Sequence, residues 1–187
     1  THSRRESSNA MSPSVICIVG SSGSGKTTVI EGIIPILRRE GLRVGTLKHT
    51  HHDVPFDTRG KDSWRHGQAG ADQAAIVSPF GLAVFDYRAA PPGPEEIIEV
   101  HFHDVDIVLV EGYKWGALPK VEVYRQDVSE APVCVGDPSL LALITDGPTP
   151  RDVRRLPSRD YERIAAFIMQ CALSTPFALL ATASAVG

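Results

Sequence analysis

Residues 15–31 read VICIVGSSGSGKTTVIE, and the order of its parts decides the fold. The run 15–19 is unbroken in apolar character and rich in β-branched residues, which suits a strand buried on both faces of a parallel sheet. It leads directly into Gly20-Ser21-Ser22-Gly23-Ser24-Gly25-Lys26-Thr27, a complete G-x-x-x-x-G-K-[ST] loop. Beyond the loop, Val29, Ile30, Ile33, Ile34 and Leu37 recur at helical spacing, with Arg38 and Arg39 in the last turn and Gly41 as the C-terminal stop. Between a buried strand and an amphipathic helix, such a loop binds phosphate: its glycines let successive N–H groups point inward, and the helix start adds partial positive charge. The residues expected to hold a nucleotide are therefore Gly20, Ser22, Gly23, Ser24, Gly25, Lys26, Thr27 and Thr28. Lys26 supplies a formal charge to the β- and γ-phosphates, and Thr27 offers its hydroxyl to Mg²⁺.

Pro35 lies inside the helical pattern and removes one backbone hydrogen bond, so a kink is expected there. Residues 42–48 read as a second strand, which makes a β-loop-α-β crossover unit. Residues 49–60 read as a polar loop, followed by a short helix at 61–69, strands at 74–78 and 82–87, a helix at 95–103 and a buried strand at 106–110. Further strands are expected at 121–124 and 140–145, and Ser158 is placed to N-cap a final helix with the apolar stripe Tyr161, Ile164, Ala165, Ile168 and Met169. Strands alternating with helices predict an α/β chain, a three-layer P-loop NTPase-like fold whose mostly parallel sheet is flanked by helices.

The length of 187 residues with 42% hydrophobic content fits one nucleotide-binding domain, expected over residues 11–172, and argues against intrinsic disorder. Residues 1–10 resemble an expression-tag remnant, and residues 173–187 form an apolar tail whose role the sequence leaves open. The net charge of −3 gives no general attraction to nucleic acid or anionic membrane, so an anion must be held by a local site. No apolar run reaches the length of a membrane span and no signal-peptide pattern is visible, so a cytoplasmic location is expected. Cys17, Cys134 and Cys171 are too few and too scattered for a disulfide framework or zinc knuckle, and are expected to be buried, inert thiols.

A carboxylate is needed near the metal, and DIVLVEG at 106–112 offers Asp106 and Glu111. Ligands of open α/β sheets bind beyond the carboxyl ends of the strands. Asp106 starts its strand, about 15 Å from that end at ~3.3 Å per residue, so Glu111 is the expected metal contact and Asp106 is not. Asp146 ends a late strand at the same edge. It either accepts both N1–H and N2–H of guanine, which favours GTP over ATP, or starts the turn Asp-Gly-Pro. The segment KHTHHDVPFDTRGKDSWRH at 48–66 carries Lys48, His49, His51, His52, Asp53, Asp57, Arg59, Lys61, Asp62 and Arg65. It reads as a switch segment or second-anion site, with Asp53 or Asp57 orienting metal or attacking water. A transition-metal site from His49, His51 and His52 and a plain solvated loop are the other readings.

The loop GSSGSGKTT, the segment LKHTHHDVPFDTRGKDSWRHGQAGA and the run VLVEGYK occur in this order, and together they resemble the molybdopterin-guanine dinucleotide biosynthesis protein B family. The match runs from Val15 to Asp146. The resemblance implies a homodimeric P-loop protein that binds GTP with Mg²⁺, hydrolyses it slowly at most, and assists the guanylyltransferase that joins GMP to molybdopterin. By the same resemblance Gly23, Gly25, Lys26, Thr27 and Thr28 belong to the phosphate loop, Glu111 to the acidic end of the second motif, and the histidine-rich segment faces the dimer cleft. Two alternatives are a small-molecule kinase with Arg151, Arg154 and Arg155 in a lid, and a nickel- or zinc-delivery GTPase using the loop histidines.

Overall fold

The apolar run at 15–19 lies inside a six-stranded sheet with a strand on either side, as a run without polar interruptions requires. The computed structural model describes residues 12–88, 90 and 92–174. In chain order the elements are β1 (Ser14–Val19), α1 (Lys26–Arg39), β2 (Val44–Lys48), α2 (Asp62–Gln68), β3 (Gln73–Ser78), β4 (Gly81–Asp86), α3 (Pro94–His101), β5 (Ile107–Glu111), β6 (Lys120–Val123), β7 (Leu140–Ile144), β8 (Arg155–Leu156) and α4 (Tyr161–Ser174). The large sheet has the order β2-β5-β1-β6-β7-β8, with every neighbouring pair parallel. Among the described residues no helix is long and apolar enough to cross a membrane.

The chain packs as two compact units, one built from residues up to Thr50 and from Pro94 onward, the other from residues 51–93. The larger unit has three layers. Alternate residues of β1 divide between them: Ile16 and Ile18 pack with Val29, Ile33 and Leu37 of α1 and Ile164 and Ile168 of α4. Val15, Cys17 and Val19 pack with Ile98 of α3 and with Val108 and Val110 of β5. Each fully buried aliphatic side chain contributes about 1.5–3 kcal/mol, so the two faces of β1 tie the helices of both outer layers to one strand. Burial pushes the Cys17 thiol up to about 12 and the Cys134 thiol to about 11, whereas Cys171 is only half-buried.

The helix α1 contains Pro35 and closes at Arg39, as its apolar spacing predicts, held by its buried stripe of Val29, Ile30, Ile33, Ile36 and Leu37. It ends in a Schellman motif in which Gly41 N–H reaches Arg38 O and Leu42 N–H reaches Leu37 O. The strands β3 and β4 do not join the parallel sheet. They form their own antiparallel hairpin, because the two-residue connection Pro79-Phe80 joins only antiparallel neighbours. β8, two residues long, is an edge strand that the sequence pattern does not reveal. The N-cap of α4 is Asp160 rather than Ser158: Asp160 Oδ1 accepts Arg163 N–H at 3.0 Å, and its carbonyl accepts Ile164 N–H at 3.0 Å. Ser158 instead donates its backbone N–H to Asp146 Oδ1. The expected domain boundary at 172 falls within α4, and residues 1–11 and 175–187 lie outside the described residues.

β6 carries two buried charges on one face. Lys120 is 0% exposed and its ammonium donates to Asp137 Oδ2 at 2.7 Å, Gly116 O at 2.7 Å and Lys114 O at 2.8 Å, which satisfies all three of its protons. Two residues on, Glu122 accepts the N–H groups of Val133 and Cys134. The bond from Lys120, joined by those from Ser139, holds the Asp137 carboxyl down at about 2. An unfolded aspartate titrates near 4, so this pairing contributes stability that is complete above about pH 4 and is lost as pH falls toward 2.

Two outcomes follow from these assignments. Asp160→Ala lowers stability by about 1 kcal/mol in a urea titration, whereas Ser158→Ala changes it little, because only its backbone N–H is engaged; equal losses would contradict the assigned cap. The penalty of Asp137→Asn, read as the difference in thermal midpoint from wild type, is present at pH 6 and shrinks steadily between pH 4 and 2; a penalty independent of pH would contradict the ion pair.

Candidate functional site

The loop between β1 and α1 adopts the shape its glycines permit. Gly20 (φ 136°) has no room for a side chain, since a Cβ would strike Val123 O and approach Ser24 Oγ to 2.9 Å. The helix α1 begins at Gly25 with no side-chain cap and no acidic residue in its first turn, so its leading N–H groups have no side-chain acceptor. Added Cβ atoms at Gly23 and Gly25 would meet open space. Among the described residues Ser24 Oγ is the buried side-chain polar atom without a hydrogen-bond partner. An uncapped helix start, an orphaned hydroxyl and an open turn are the donor set that a phosphate satisfies. Lys26 crosses the loop, its ammonium donating to Ser21 O at 2.8 Å and Gly20 O at 3.2 Å. Partial burial is the main influence on Lys26 and lowers its pKa. Glu111 opposes this, while Lys114 and Lys48 add to the lowering.

The parallel register delivers Glu111 to the same edge, where Ile18 of β1 pairs with Glu111 and Lys48 of β2 pairs with it on the other side. Thr27 Oγ1 donates to Glu111 Oε2 at 3.0 Å, and Lys48 Nζ lies 3.5 Å from Glu111 Oε1. A hydroxyl and a carboxylate in contact beside a phosphate loop are hard oxygen ligands that suit Mg²⁺. Asp106 sits before β5 and is held by the Arg43 guanidinium and backbone N–H, which keep its carboxyl below the usual range despite partial burial. It is a structural ion pair, as its place at the start of the strand implies. Beyond Glu111 the chain turns sharply at Gly112 (φ 93°), where a Cβ would lie 2.6 Å from His49 O, and at Tyr113 (φ 61°). His49 donates its backbone N–H to Glu111 O and meets the Tyr113 ring edge-on at 5.0 Å. The Tyr113 hydroxyl donates to Glu95 Oε2, and burial with that bond pushes the phenol up to about 12.

From the phosphate loop a cavity of about 580 Å³ extends along the edge of the sheet, lined by Ser24, Gly25 and Thr28 at one end and by Thr145, Asp146 and Gly147 at the other. The volume lies in the range of small-molecule sites. The turn at Gly147 is held by Thr145 Oγ1, which accepts Gly147 N–H at 3.1 Å. The Asp146 carboxylate anchors Ser158 N–H through Oδ1. Gln126, Asp127 and Arg159 also line the cavity. The sequence reading passed over them because the loops after β6 and before α4 carry no motif. Their signal is positional: each follows a parallel strand at its carboxyl end.

The rest of the polar segment belongs to the smaller unit, while Lys48 and His49 belong to the larger one. His51, His52 and Asp53 are exposed, Arg59 lies 5.8 Å from the Trp64 ring centroid, Lys61 occupies the N-cap of α2, and Asp62 and Arg65 are 3.9 Å apart. Asp57 has both oxygens in use: Oδ1 accepts Ser63 Oγ–H and Thr58 N–H, and Oδ2 accepts the Tyr87 hydroxyl at 2.7 Å. Desolvation raises its pKa, and these hydrogen bonds outweigh it and hold the carboxyl below its usual range. Among the described residues no group of three His, Cys, Asp or Glu side chains is placed to hold a metal ion. Of the arginines considered for a lid, Arg154 stacks on Phe167 at 4.8 Å and Arg155 is in β8, donating to Gly147 O.

Comparison with known proteins agrees with these features. The family model for molybdopterin guanine dinucleotide synthesis protein B, MobB, matches residues 15–146. The molybdopterin-guanine dinucleotide biosynthesis adapter protein of Haemophilus influenzae is 36% identical over 152 residues, covering 81% of this chain and 85% of the relative. Its namesake from Escherichia coli is 34% identical over 157 residues, covering 80% and 87%. Among solved structures, Bacillus subtilis MobB superposes with a TM-score of 0.66 at 28% identity, covering 84% of this chain and 97% of that one. From the phosphate loop to Asp146 the match is continuous, and the chain belongs to the MobB family.

Proposed function

We propose that the chain is a GTP-binding adapter of molybdopterin guanine dinucleotide biosynthesis, acting beside the guanylyltransferase that joins GMP to molybdopterin. The observation that carries this reading is the cavity that joins the phosphate loop to Asp146 in one continuous space. The names of the two bacterial relatives support the pathway.

A nucleotide in this cavity presents its phosphates to the N–H groups of residues 23–28 and to Lys26, which exchanges two neutral carbonyl acceptors for charged phosphate oxygens, the stronger bond. Thr27 and Glu111 hold Mg²⁺ in this reading, and the ion neutralises the β- and γ-phosphates. At the far end the base meets Asp146. A carboxylate oxygen has more than one lone pair, so the bond to Ser158 N–H leaves acceptor capacity for guanine N1–H and N2–H. Adenine offers no such donor pair. The engaged positions of Arg154 and Arg155 weigh against a kinase lid.

A second copy of the chain is the partner we assign to the hairpin of β3 and β4. Phe80 is 100% exposed, Val77 81% and Leu82 69%, and two paired strands alone are marginal in water. A two-fold dimer would set this apolar hairpin of one copy against the same patch of the other and bury both at once. The adapter role then leaves molybdopterin and the guanylyltransferase as further partners.

Competition binding with Mg²⁺ tests the base reading. Wild type prefers GTP over ATP by at least tenfold, Asp146→Ala loses the preference, and Lys26→Ala weakens both nucleotides alike. Equal affinity of wild type for GTP and ATP contradicts the role given to Asp146, and an unimpaired Lys26→Ala contradicts the phosphate site.

A further inference from the structure

The far end of the cavity is built by two parallel strands that stop in register. Val123 of β6 pairs with Ile144 of β7, and Tyr124 N–H donates to Ile144 O at 3.0 Å. Gln126 and Gly147, each three residues beyond that pair, leave the sheet side by side. A Cβ added at Gly147 would lie 4.0 Å from Gln126 Oε1 and 3.5 Å from Thr145 Oγ1. The terminal amide of Gln126 thus stands over the turn that carries Asp146, and both residues line the cavity.

The two loops are fixed by their own bonds. After β6, Arg125 O accepts the N–H groups of Val128 at 3.0 Å and Ser129 at 3.1 Å, so Gln126 occupies the first corner of a tight turn. After β7, Thr145 Oγ1 takes Gly147 N–H, Arg155 Nη1 donates to Gly147 O at 3.4 Å, and Asp146 Oδ1 takes Ser158 N–H. The polar side chains at this end differ in how far they are committed. Both oxygens of Asp127 are held by the Arg125 guanidinium, at 3.2 Å and 2.7 Å, which keeps that carboxyl below its usual range. The Thr145 hydroxyl serves the turn. Gln126 is exposed, and its amide makes no hydrogen bond to any described residue. Two N–H donors and a carbonyl oxygen are therefore available beside the Asp146 carboxylate.

Guanine has an edge that matches this pair. Asp146, as read above, accepts from N1–H and N2–H, and the next group on the same edge is O6, an acceptor. A carboxylate presents acceptors alone, so a base held only by Asp146 leaves O6 without a protein donor. An acceptor taken from water and left unpaired is costly.

We propose that the Gln126 amide is a second reader of the base, donating an N–H to guanine O6 while Asp146 accepts from N1–H and N2–H. The proposal rests on the nucleotide reading of the same cavity. It divides recognition between two side chains: Gln126 senses the oxygen at C6, and Asp146 the amino group at C2.

Three nucleotides separate the contacts when their affinities for the full-length protein are measured with Mg²⁺. GTP carries both groups, ITP has the C6 oxygen without the C2 amino group, and 2-aminopurine riboside triphosphate has the amino group without the oxygen. Gln126→Ala is expected to weaken GTP and ITP alike by about fivefold, the size of one neutral hydrogen bond, and to leave the 2-aminopurine nucleotide within about twofold of wild type. Gln126→Glu keeps the volume and replaces the donors with acceptors, so it loses at least as much GTP affinity as Gln126→Ala. Asp146→Ala shows a different pattern and costs GTP more than ITP. Unchanged GTP affinity in Gln126→Ala, an equal loss for the 2-aminopurine nucleotide, or a Gln126→Glu variant that binds like wild type overturns the proposal. Lys26→Ala and Asp146→Ala separate these failures from failure of the site itself. If wild type binds GTP in a way that depends on Lys26 and Asp146 while Gln126→Ala matches wild type, only the second reader falls. If wild type binds no nucleotide, or binds GTP and ATP alike, the reading of the cavity falls with it.

Discussion

The account depends on a helix that begins without a cap. A helix start leaves N–H groups that its own backbone cannot satisfy, and most helices place a serine, threonine or aspartate there. Gly25 supplies no side chain, the first turn of α1 carries no acid, and the hydroxyl of Ser24 beside it lacks a partner. Leaving these donors unused costs stability unless an anion completes them. Parallel strand order brings the remaining groups to the same edge: β1, β2, β5, β6 and β7 all end there, so Lys48 and Glu111 stand beside the loop and Asp146 lines the far end of the cavity that extends from it.

Charge is arranged locally against the chain's overall sign. Lys48 Nζ lies 3.5 Å from Glu111, whose charge also acts on Lys26, while Lys120 and Glu122 are sunk on one face of β6, Lys120 holding carbonyls of the turn before the strand and Glu122 the amides of the loop after it. These two buried charges tether both loops to the strand where no regular secondary structure does so. The exposed charges of the smaller unit follow other rules. Asp57 fastens its own segment through Tyr87 and Ser63, and Arg59 lies over Trp64.

Much of this was legible in the sequence, and the failures have physical causes. The phosphate loop and Glu111 could be read because glycine pattern and strand polarity act locally. The placement of Asp106 followed from strand length alone, and its pairing with Arg43 agrees with it. Ser158 was misread as a cap because Ser and Asp are both good caps, and only the chain path from β8 decides that Asp160 takes the position. Both strands of the β3–β4 hairpin were read at nearly their observed bounds but left unpaired, although the short Ser78-Pro79-Phe80-Gly81 link admits only antiparallel pairing. Lys120 escaped notice because a lysine at a strand edge is usually solvated. Its burial is set by Asp137, seventeen residues away, and no local pattern carries that contact. The cavity lining at Gln126 and Arg159 depends in the same way on where loops cross.

The claim on which all else rests is that backbone amides of the loop bind the nucleotide's phosphates directly. Amide proton and nitrogen shifts of the isotopically labelled protein, recorded as GTP and Mg²⁺ are added, test it most directly. The account predicts large shifts at Gly23, Gly25, Lys26 and Thr27 that saturate together with those at Gly147. Saturating shifts elsewhere in the protein, with those loop amides unmoved, would contradict it.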